Sequence, residues 1–235
     1  MSKQASAPLE PSTLAKLPLF ESLSTKQLSK IDTLLQCKRY PAETEIITVN
    51  QPGKIVYIIL DGTAKIHIDH ADGTDVILAI LGAGEIVGEM SLTDGFGRSA
   101  TVSTLEVSTL LLMDCATFWA SLKEMPMMSY NLMKIFSRRL RLANLHTVSL
   151  TRLDVYGRVA GQLLAFAKEY GEVAPNGDVL IPLHLSQSDL ASMIGSSRVR
   201  VNQALGFYKR RNYLSVNSAN QITIHNSEAL SRCCS

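Results

Sequence analysis

The chain is 235 residues long, 46% apolar and 19% charged, which is enough for one or two packed domains and too apolar for a disordered chain. It has no run of 18 apolar residues, which excludes a transmembrane helix; the polar stretch 1–11 has no apolar core of a secretory signal, so a cytoplasmic protein without a membrane partner is expected. The net charge of +2 hides an asymmetry: residues 1–155 carry 15 basic against 16 acidic side chains and residues 156–235 carry 8 against 5, so only the second part suits a polyanion.

In chain order, a floppy arm over 1–13 leads to a short helix predicted at 25–35 with Ser24 as its N-cap. After Pro41 the rhythm changes to β-branched runs at 45–49, 55–60, 64–68, 76–81, 100–105 and 109–113. Turn dipeptides Asp61-Gly62, Asp72-Gly73 and Asp94-Gly95 punctuate them, which predicts an antiparallel all-β sandwich or barrel. At about 116 the period changes again, and 119–153 reads as helix, interrupted near Pro126. Met133, Phe136, Leu140, Ala143, Thr147 and Leu150 follow a 3-4 spacing, with Lys134, Arg138, Arg139, Arg141 and His146 outside it. A narrow seam of that kind suits a two-helix dimer; a helix lying on its own β-domain is the alternative.

Asp154 then caps a helix at 155–170, a loop spans 171–178, and a strand follows at 179–183. Ser186-Gln187-Ser188-Asp189 reads as a capping box opening a helix that ends at Gly195, and Ser196 or Ser197 caps the next one, to about Arg211. Ala191, Gly195 and the apolar Leu190, Ile194, Val201 and Leu205 fall where a helix-turn-helix packs. Ser186, Gln187, Ser188, Ser197, Arg198, Arg200, Asn202 and Gln203 are then the candidate DNA-contacting residues, those from Ser197 on lining the exposed N-terminal half of the second helix, which in such a unit enters the major groove. Runs at 213–216 and 221–225 predict a two-stranded wing. The competing reading is a helix pair with a solvated basic face.

The β-region contains a second pattern, Gly82-Ala83-Gly84-Glu85-Ile86-Val87-Gly88-Glu89-Met90-Ser91-Leu92, followed at a short distance by Arg98-Ser99-Ala100. A turn through Gly88, Glu89, Met90 and Ser91 offers free N–H groups to an anion, Arg98 suits a phosphate oxygen, and the Ser99 hydroxyl adds a neutral donor. Glu89 makes sense beside a phosphate if it accepts from a ribose hydroxyl and orients Arg98.

Gly88–Leu92 with Arg98-Ser99-Ala100 closely resembles the phosphate-binding cassette of cyclic-nucleotide-binding β-rolls. The order β-roll, long helix, winged helix-turn-helix resembles the catabolite-activator (CRP/FNR) superfamily of bacterial regulators over nearly the whole chain. The resemblance implies an α+β fold: a floppy arm 1–13, a β-roll 14–125, a dimerisation helix 126–153, a winged helix-turn-helix 154–227 and a tail 228–235. It implies a homodimeric transcription regulator on palindromic DNA, with Gly88, Glu89, Arg98 and Ser99 holding sugar and cyclic phosphate. Where cyclic-AMP-responsive members carry a Thr-Ser pair that touches adenine, this chain has Ala143 and Asn144; Asn144 offers a donor and an acceptor, Ala143 neither. Cyclic AMP, cyclic GMP and cyclic di-GMP all remain open as effectors. Arg198 matches the family's first guanine-contacting arginine, whereas Val199 and Gln203 replace an expected glutamate and arginine, which predicts a half-site that differs at its inner positions from TGTGA.

The loop 171–178 sits where activators of the family touch RNA polymerase. A signalling module acting through protein partners is the alternative function. An enzyme is not expected: no Ser/His/Asp or Cys/His grouping is apparent, the five histidines are scattered, and the four cysteines have no metal-ligand spacing, so no metal is expected either. Cys233 and Cys234 read as a frayed end.

Overall fold

The computed structural model describes residues 10–69, 75–90 and 97–234. Asp72-Gly73, Asp94-Gly95, His70 and Ser91 lie outside them. The chain divides into two compact units, one of residues 1–67 with 80–139, the other of 68–79 with 140–235.

In the first unit, α1 (Pro11–Leu14), a 3-10 turn (Pro18–Phe20) and α2 (Thr25–Leu34) precede the strands. Ser24 caps α2: its hydroxyl accepts the Gln27 N–H at 3.4 Å and its own N–H donates to the Gln27 side chain at 2.9 Å. Strands β1 (Gln36–Tyr40), β2 (Glu45–Ile47), β3 (Ile55–Asp61), β4 (Ala64–Asp69), β5 (Asp75–Leu81), β6 (Ile86–Val87), β7 (Thr101–Thr104) and β8 (Ser108–Asp114) form two sheets ordered β1-β8-β3-β6 and β2-β7-β4-β5. The pairings of β8 with β1 and β3, of β3 with β6, and of β7 with β2 and β4 are antiparallel, giving the expected roll. Two strands are not legible in the sequence. β1 is polar and mostly exposed, and β6 has only two residues.

Strand β3 reads as a continuous apolar run because both of its faces are buried. Val56 and Ile58 join Ile86, Leu111 and Met113 under a helical layer made by Leu19, Phe20, Ile31, Phe118, Leu122, Met125, Met128, Leu132 and Ile135. Helix α3 (Cys115–Glu124) is capped by Asp114, which accepts the Thr117 N–H at 2.9 Å. Helix α4 (Pro126–Arg152) starts on Pro126, where no N–H is needed. Its first half buries Met128, Asn131, Leu132 and Ile135 and packs Phe136 partly against the same core. Asn131 Nδ2 donates to the carbonyls of Leu19 and Glu21 at 3.1 and 2.8 Å, anchoring α4 to the segment before α2. Phe136 therefore faces its own core. Beyond it, Leu140, Leu145, Val148 and Leu150 are exposed, so one helix is core-packed at its start and bare at its end.

In the second unit, α5 (Val155–Tyr170) is capped by Asp154, whose carboxylate accepts the Gly157 N–H at 2.8 Å. Strands β9 (Glu172–Val173), β10 (Val179–Ile181), β11 (Leu214–Val216) and β12 (Ile222–Ile224) form a sheet ordered β11-β12-β10-β9, with α6 (Gln187–Met193) and α7 (Arg198–Arg210) between β10 and β11. Val159, Leu163 and Ile181 are fully buried, as are Val201, Ala204 and Tyr208 of α7. Ser186 caps α6 as expected. Its hydroxyl accepts the Asp189 N–H at 3.1 Å and also donates to the Asp189 carboxylate. The segment expected as a tail instead forms α8 (Ser227–Arg232), which buries Leu230. Cys233 and Cys234 are half-buried, and a Cβ at Gly157 would lie 2.8 Å from the Cys233 carbonyl, so the tail packs tightly on α5.

Candidate functional site

The cassette begins where β6 ends. Gly88 takes φ +86°, and a Cβ there would lie 2.5 Å from Arg98 Nη1. Only glycine lets the backbone turn this way while the guanidinium comes so close. Arg98 is buried at 7% exposure; its Nη1 donates to the Gly88 carbonyl at 2.5 Å and its Nη2 to the Ile55 carbonyl at 2.6 Å. Ser99 is exposed, and its hydroxyl lies 3.9 Å from the sulfur of the half-exposed Met90. The structure thus brings together Gly88, Glu89, Met90, Arg98 and Ser99. Asn144 is exposed on the part of α4 that belongs to the second unit.

Glu89 is 3% exposed and borders a cleft of about 180 Å³ whose walls include Phe118, Trp119, Leu122, Leu132 and Met133. Burial pushes its carboxyl above the ordinary range, against the opposing pull of the Arg139 charge. Arg139 Nη1 donates to Glu89 Oε1 at 2.8 Å, while its Nη2 reaches Glu85 Oε2 at 2.6 Å and the Ile86 carbonyl at 2.5 Å. Arg138 closes on the other oxygen of Glu85, itself 3% exposed. Sequence reasoning missed these three residues, having set Arg138 and Arg139 only as residues outside a seam. The available signal was the pair Glu85 and Glu89 flanking a strand with both faces buried, since two buried carboxylates require cations nearby.

In the second unit, α7 separates its roles by helical period. Val201, Ala204, Leu205 and Tyr208 are buried, whereas Ser197, Arg198, Val199, Arg200, Asn202 and Gln203 are exposed. Ser197 caps the helix by accepting the Arg200 N–H at 3.4 Å. Gln187 on α6 donates to Asn202 Oδ1 at 3.2 Å, so the start of α6 meets the reading face, with Ser188 exposed beside it. Gly195, at φ +61°, supplies the left-handed residue of the turn. Arg158 on α5 holds that turn: its Nη1 donates to the carbonyls of Ile194 and Gly195 at 2.9 and 3.3 Å, and its Nε to Leu153 at 3.1 Å. The buried Tyr208 hydroxyl donates to the Tyr156 carbonyl at 2.9 Å, and burial pushes its pKa up so that it stays a donor.

One expectation is overturned, because a Ser/His/Asp row does exist. His225 Nδ1 lies 2.8 Å from Asp178 Oδ2 and its Nε2 lies 2.9 Å from Ser215 Oγ, across the wing sheet. Asp178 is 47 residues from His225, and the three meet because β10, β12 and β11 are neighbours. His67, on β4, is buried with its Nε2 3.1 Å from Ser103 Oγ.

Comparison with known proteins follows the same division. Residues 37–124 match the cyclic nucleotide-binding domain and residues 157–233 the Crp-like helix-turn-helix domain. The chain is similar to the CRP-like cAMP-activated global transcriptional regulator of Mycobacterium tuberculosis, 29% identical over 219 residues (93% of this chain, 97% of that protein). It is 30% identical over 189 residues to the Cyclic AMP receptor protein of Thermus thermophilus (80% of this chain, 83% of that protein). Among solved structures, the c-di-GMP responsive global regulator CLP of Xanthomonas campestris superposes with a TM-score of 0.67 at 23% identity, covering 86% of this chain and 99% of that one. With a buried arginine cassette in a β-roll and an exposed recognition helix in a winged unit, this chain belongs to the CRP/FNR superfamily and is a DNA-binding transcription regulator with a cyclic-nucleotide-binding domain.

Proposed function

We propose that the protein is a homodimeric regulator whose DNA affinity is set by a cyclic nucleotide docked on the cassette. The observation that carries this is Arg98: a guanidinium buried against Gly88, at the end of a β-strand, beside an acceptor at Glu89. In this reading the cyclic phosphate accepts from Arg98, the Ser99 hydroxyl and the N–H groups of Gly88, Glu89, Met90 and Ser91. The ribose hydroxyl donates to Glu89, and Asn144 meets the base. Cyclic AMP is the first choice of effector, in keeping with the regulators of Mycobacterium tuberculosis and Thermus thermophilus. Cyclic di-GMP is the second reading, favoured by the loss of the hydroxyl pair at Ala143 and Asn144 and by the likeness in fold to the c-di-GMP responsive CLP. The effector acts only through differential affinity for two arrangements of the dimer.

The dimer forms along the bare second half of α4, through Leu140, Ala143, Thr147 and Leu150, and two recognition helices then read a palindrome at half-sites one helical turn apart. Arg198 reads an outer guanine and Gln203 an adenine, with Val199 against a thymine methyl. Ser186, Gln187, Ser188, Ser197, Arg200 and Asn202 contact phosphates and neighbouring bases. The hairpin between β9 and β10 is the surface offered to RNA polymerase. The protein acts in the cytoplasm, and it is not an enzyme: the row Asp178, His225, Ser215 ties three strands of the wing sheet. Calorimetric titration with cyclic AMP, cyclic GMP and cyclic di-GMP, followed by DNA binding with and without the tightest binder, tests the reading. Binding of one messenger with altered DNA affinity is expected; indifference to all three sinks it.

A further inference from the structure

Helix α7 carries a glycine in its interior, Gly206, the ninth of its 13 residues, where glycine is disfavoured by the backbone freedom it loses. Neither usual reason for such a glycine holds. Its φ is not left-handed. A Cβ there would meet, among the described residues outside its immediate helical surroundings, only Nη1 of Arg210, at 3.4 Å. The fold therefore gains nothing from the missing side chain. Arg210 fills its place. One turn further on, it runs back towards the start of the helix, as long helical side chains do, and lays its guanidinium over Gly206. Val199, Asn202, Gln203, Gly206 and Arg210 recur at helical spacing on one side of α7, away from the buried Val201, Ala204, Leu205 and Tyr208. Arg211 takes another course: its guanidinium lies 3.8 Å from the centre of the Phe207 ring, which meets Tyr156 of α5 edge-on. Of two consecutive arginines, one is committed to packing. The other side chain makes no hydrogen bond or ion pair among the described residues.

We infer that Arg210 is a phosphate-contacting residue aimed by Gly206: laid over the reading side of α7, one turn beyond Gln203, its guanidinium docks on a DNA backbone phosphate. The inference deepens the reading of α7 as the recognition helix and rests on it. At about 1.5 Å per residue, Gly206 lies about 12 Å along the axis from Arg198, beyond the major groove's depth of about 8.5 Å and level with its width of about 12 Å. A helix whose first turn meets the base edges therefore has Gly206 beside the sugar-phosphate wall. A guanidinium suits that wall, because its planar fork presents two donors to two phosphate oxygens. A longer side chain at 206 would hold it off the helix, whereas glycine lets it lie close against the backbone. Such a contact adds affinity and fixes register but reads no sequence.

The test is fluorescence anisotropy on the full chain with its tightest-binding messenger. The probes are a duplex that the wild type selects from a random pool and the same duplex with each half-site base changed in turn. Arg210→Ala should weaken binding about tenfold, as expected for one charge-assisted contact. The factor should be the same on every duplex, and the slope of log affinity against log salt should become shallower by about 0.9 per subunit. Gly206→Leu should lose affinity in the same uniform way while its melting temperature equals or exceeds that of the wild type, since a glycine has left a helix. The double variant should bind no more weakly than Arg210→Ala, because both changes remove one contact. Arg211→Ala should leave the salt slope as it is. An unchanged slope in Arg210→Ala, a loss confined to one base position, or additive losses in the double variant overturns the inference. So does an equal change of slope in Arg211→Ala, which would mark a general effect of charge. If a Gly206→Leu chain does not fold, the slopes of the two arginine variants still decide. A wild type that selects no duplex defeats the reading of α7 and this inference together, whereas selection with Arg210→Ala binding as the wild type does defeats this inference alone.

Discussion

Arg98 and Arg198 carry the same guanidinium into opposite surroundings. Arg98 is 7% exposed and folded onto two main-chain carbonyls, whereas Arg198 stands exposed at the first turn of α7. The buried one is part of the fold as well as of the site, because its guanidinium ties together two main-chain segments through the carbonyls of Gly88 and Ile55. The exposed one is spare to the fold, and its donors are available to whatever enters the groove. The difference between the two regions is thus one of separability: in the winged unit recognition can be removed without harming the structure, while in the roll it cannot.

The largest expected effect breaks the buried half of this comparison. Arg98→Ala should abolish nucleotide binding in calorimetry and also cost about 1–3 kcal/mol in a urea melt, through the two charge-assisted hydrogen bonds it removes. Loss of binding with unchanged stability would mean that the guanidinium is not part of the fold. Next in size, Leu140→Glu on the bare face of α4 should shift sedimentation from dimer to monomer, since a charge in a helix seam is not tolerated. Arg198→Ala sharpens the exposed half: about 1–3 kcal/mol should be lost on the specific site, measured by fluorescence anisotropy, with the melting temperature unmoved. Tyr208→Phe removes the hydroxyl bonded to the Tyr156 carbonyl and should cost about 1 kcal/mol of stability, because that interior position of α7 belongs to the packing.

The smallest effect concerns acid. The hydrogen bond from His225 holds Asp178 below its ordinary pKa, so the stabilisation it provides is present above about pH 4 and disappears as the pH falls through the lowered value. In His225→Gln the wing should lose protection from hydrogen exchange at a higher pH than the wild type. Identical acid profiles would show that the row Asp178, His225, Ser215 ties nothing.

Much of the molecule was legible in the chain. The β-branched runs became β2 to β5, β7 and β8, Ser24 and Asp154 capped the helices expected of them, and α7 kept its apolar face inward. These features follow from local periods and from hydrogen bonds spanning three residues, which need no distant partner. The cassette, too, was visible as glycine, glutamate and arginine at short range, and Gly88 was found at the left-handed turn that its place demands.

The sequence alone therefore determined the order of elements, the caps, and which helix presents its donors to solvent, because each depends on neighbours within a turn or two. It did not determine that α4 would be core-packed at Ile135 and Phe136 and bare at Leu140, since a seam and a core stripe share one period. Nor did it determine that Arg139 would hold Glu89, fifty residues earlier in the chain, or that His225 would join Asp178 to Ser215. Only tertiary structure decides such pairs, because a buried charge takes whichever opposite charge the fold carries to it, and no local pattern records that meeting.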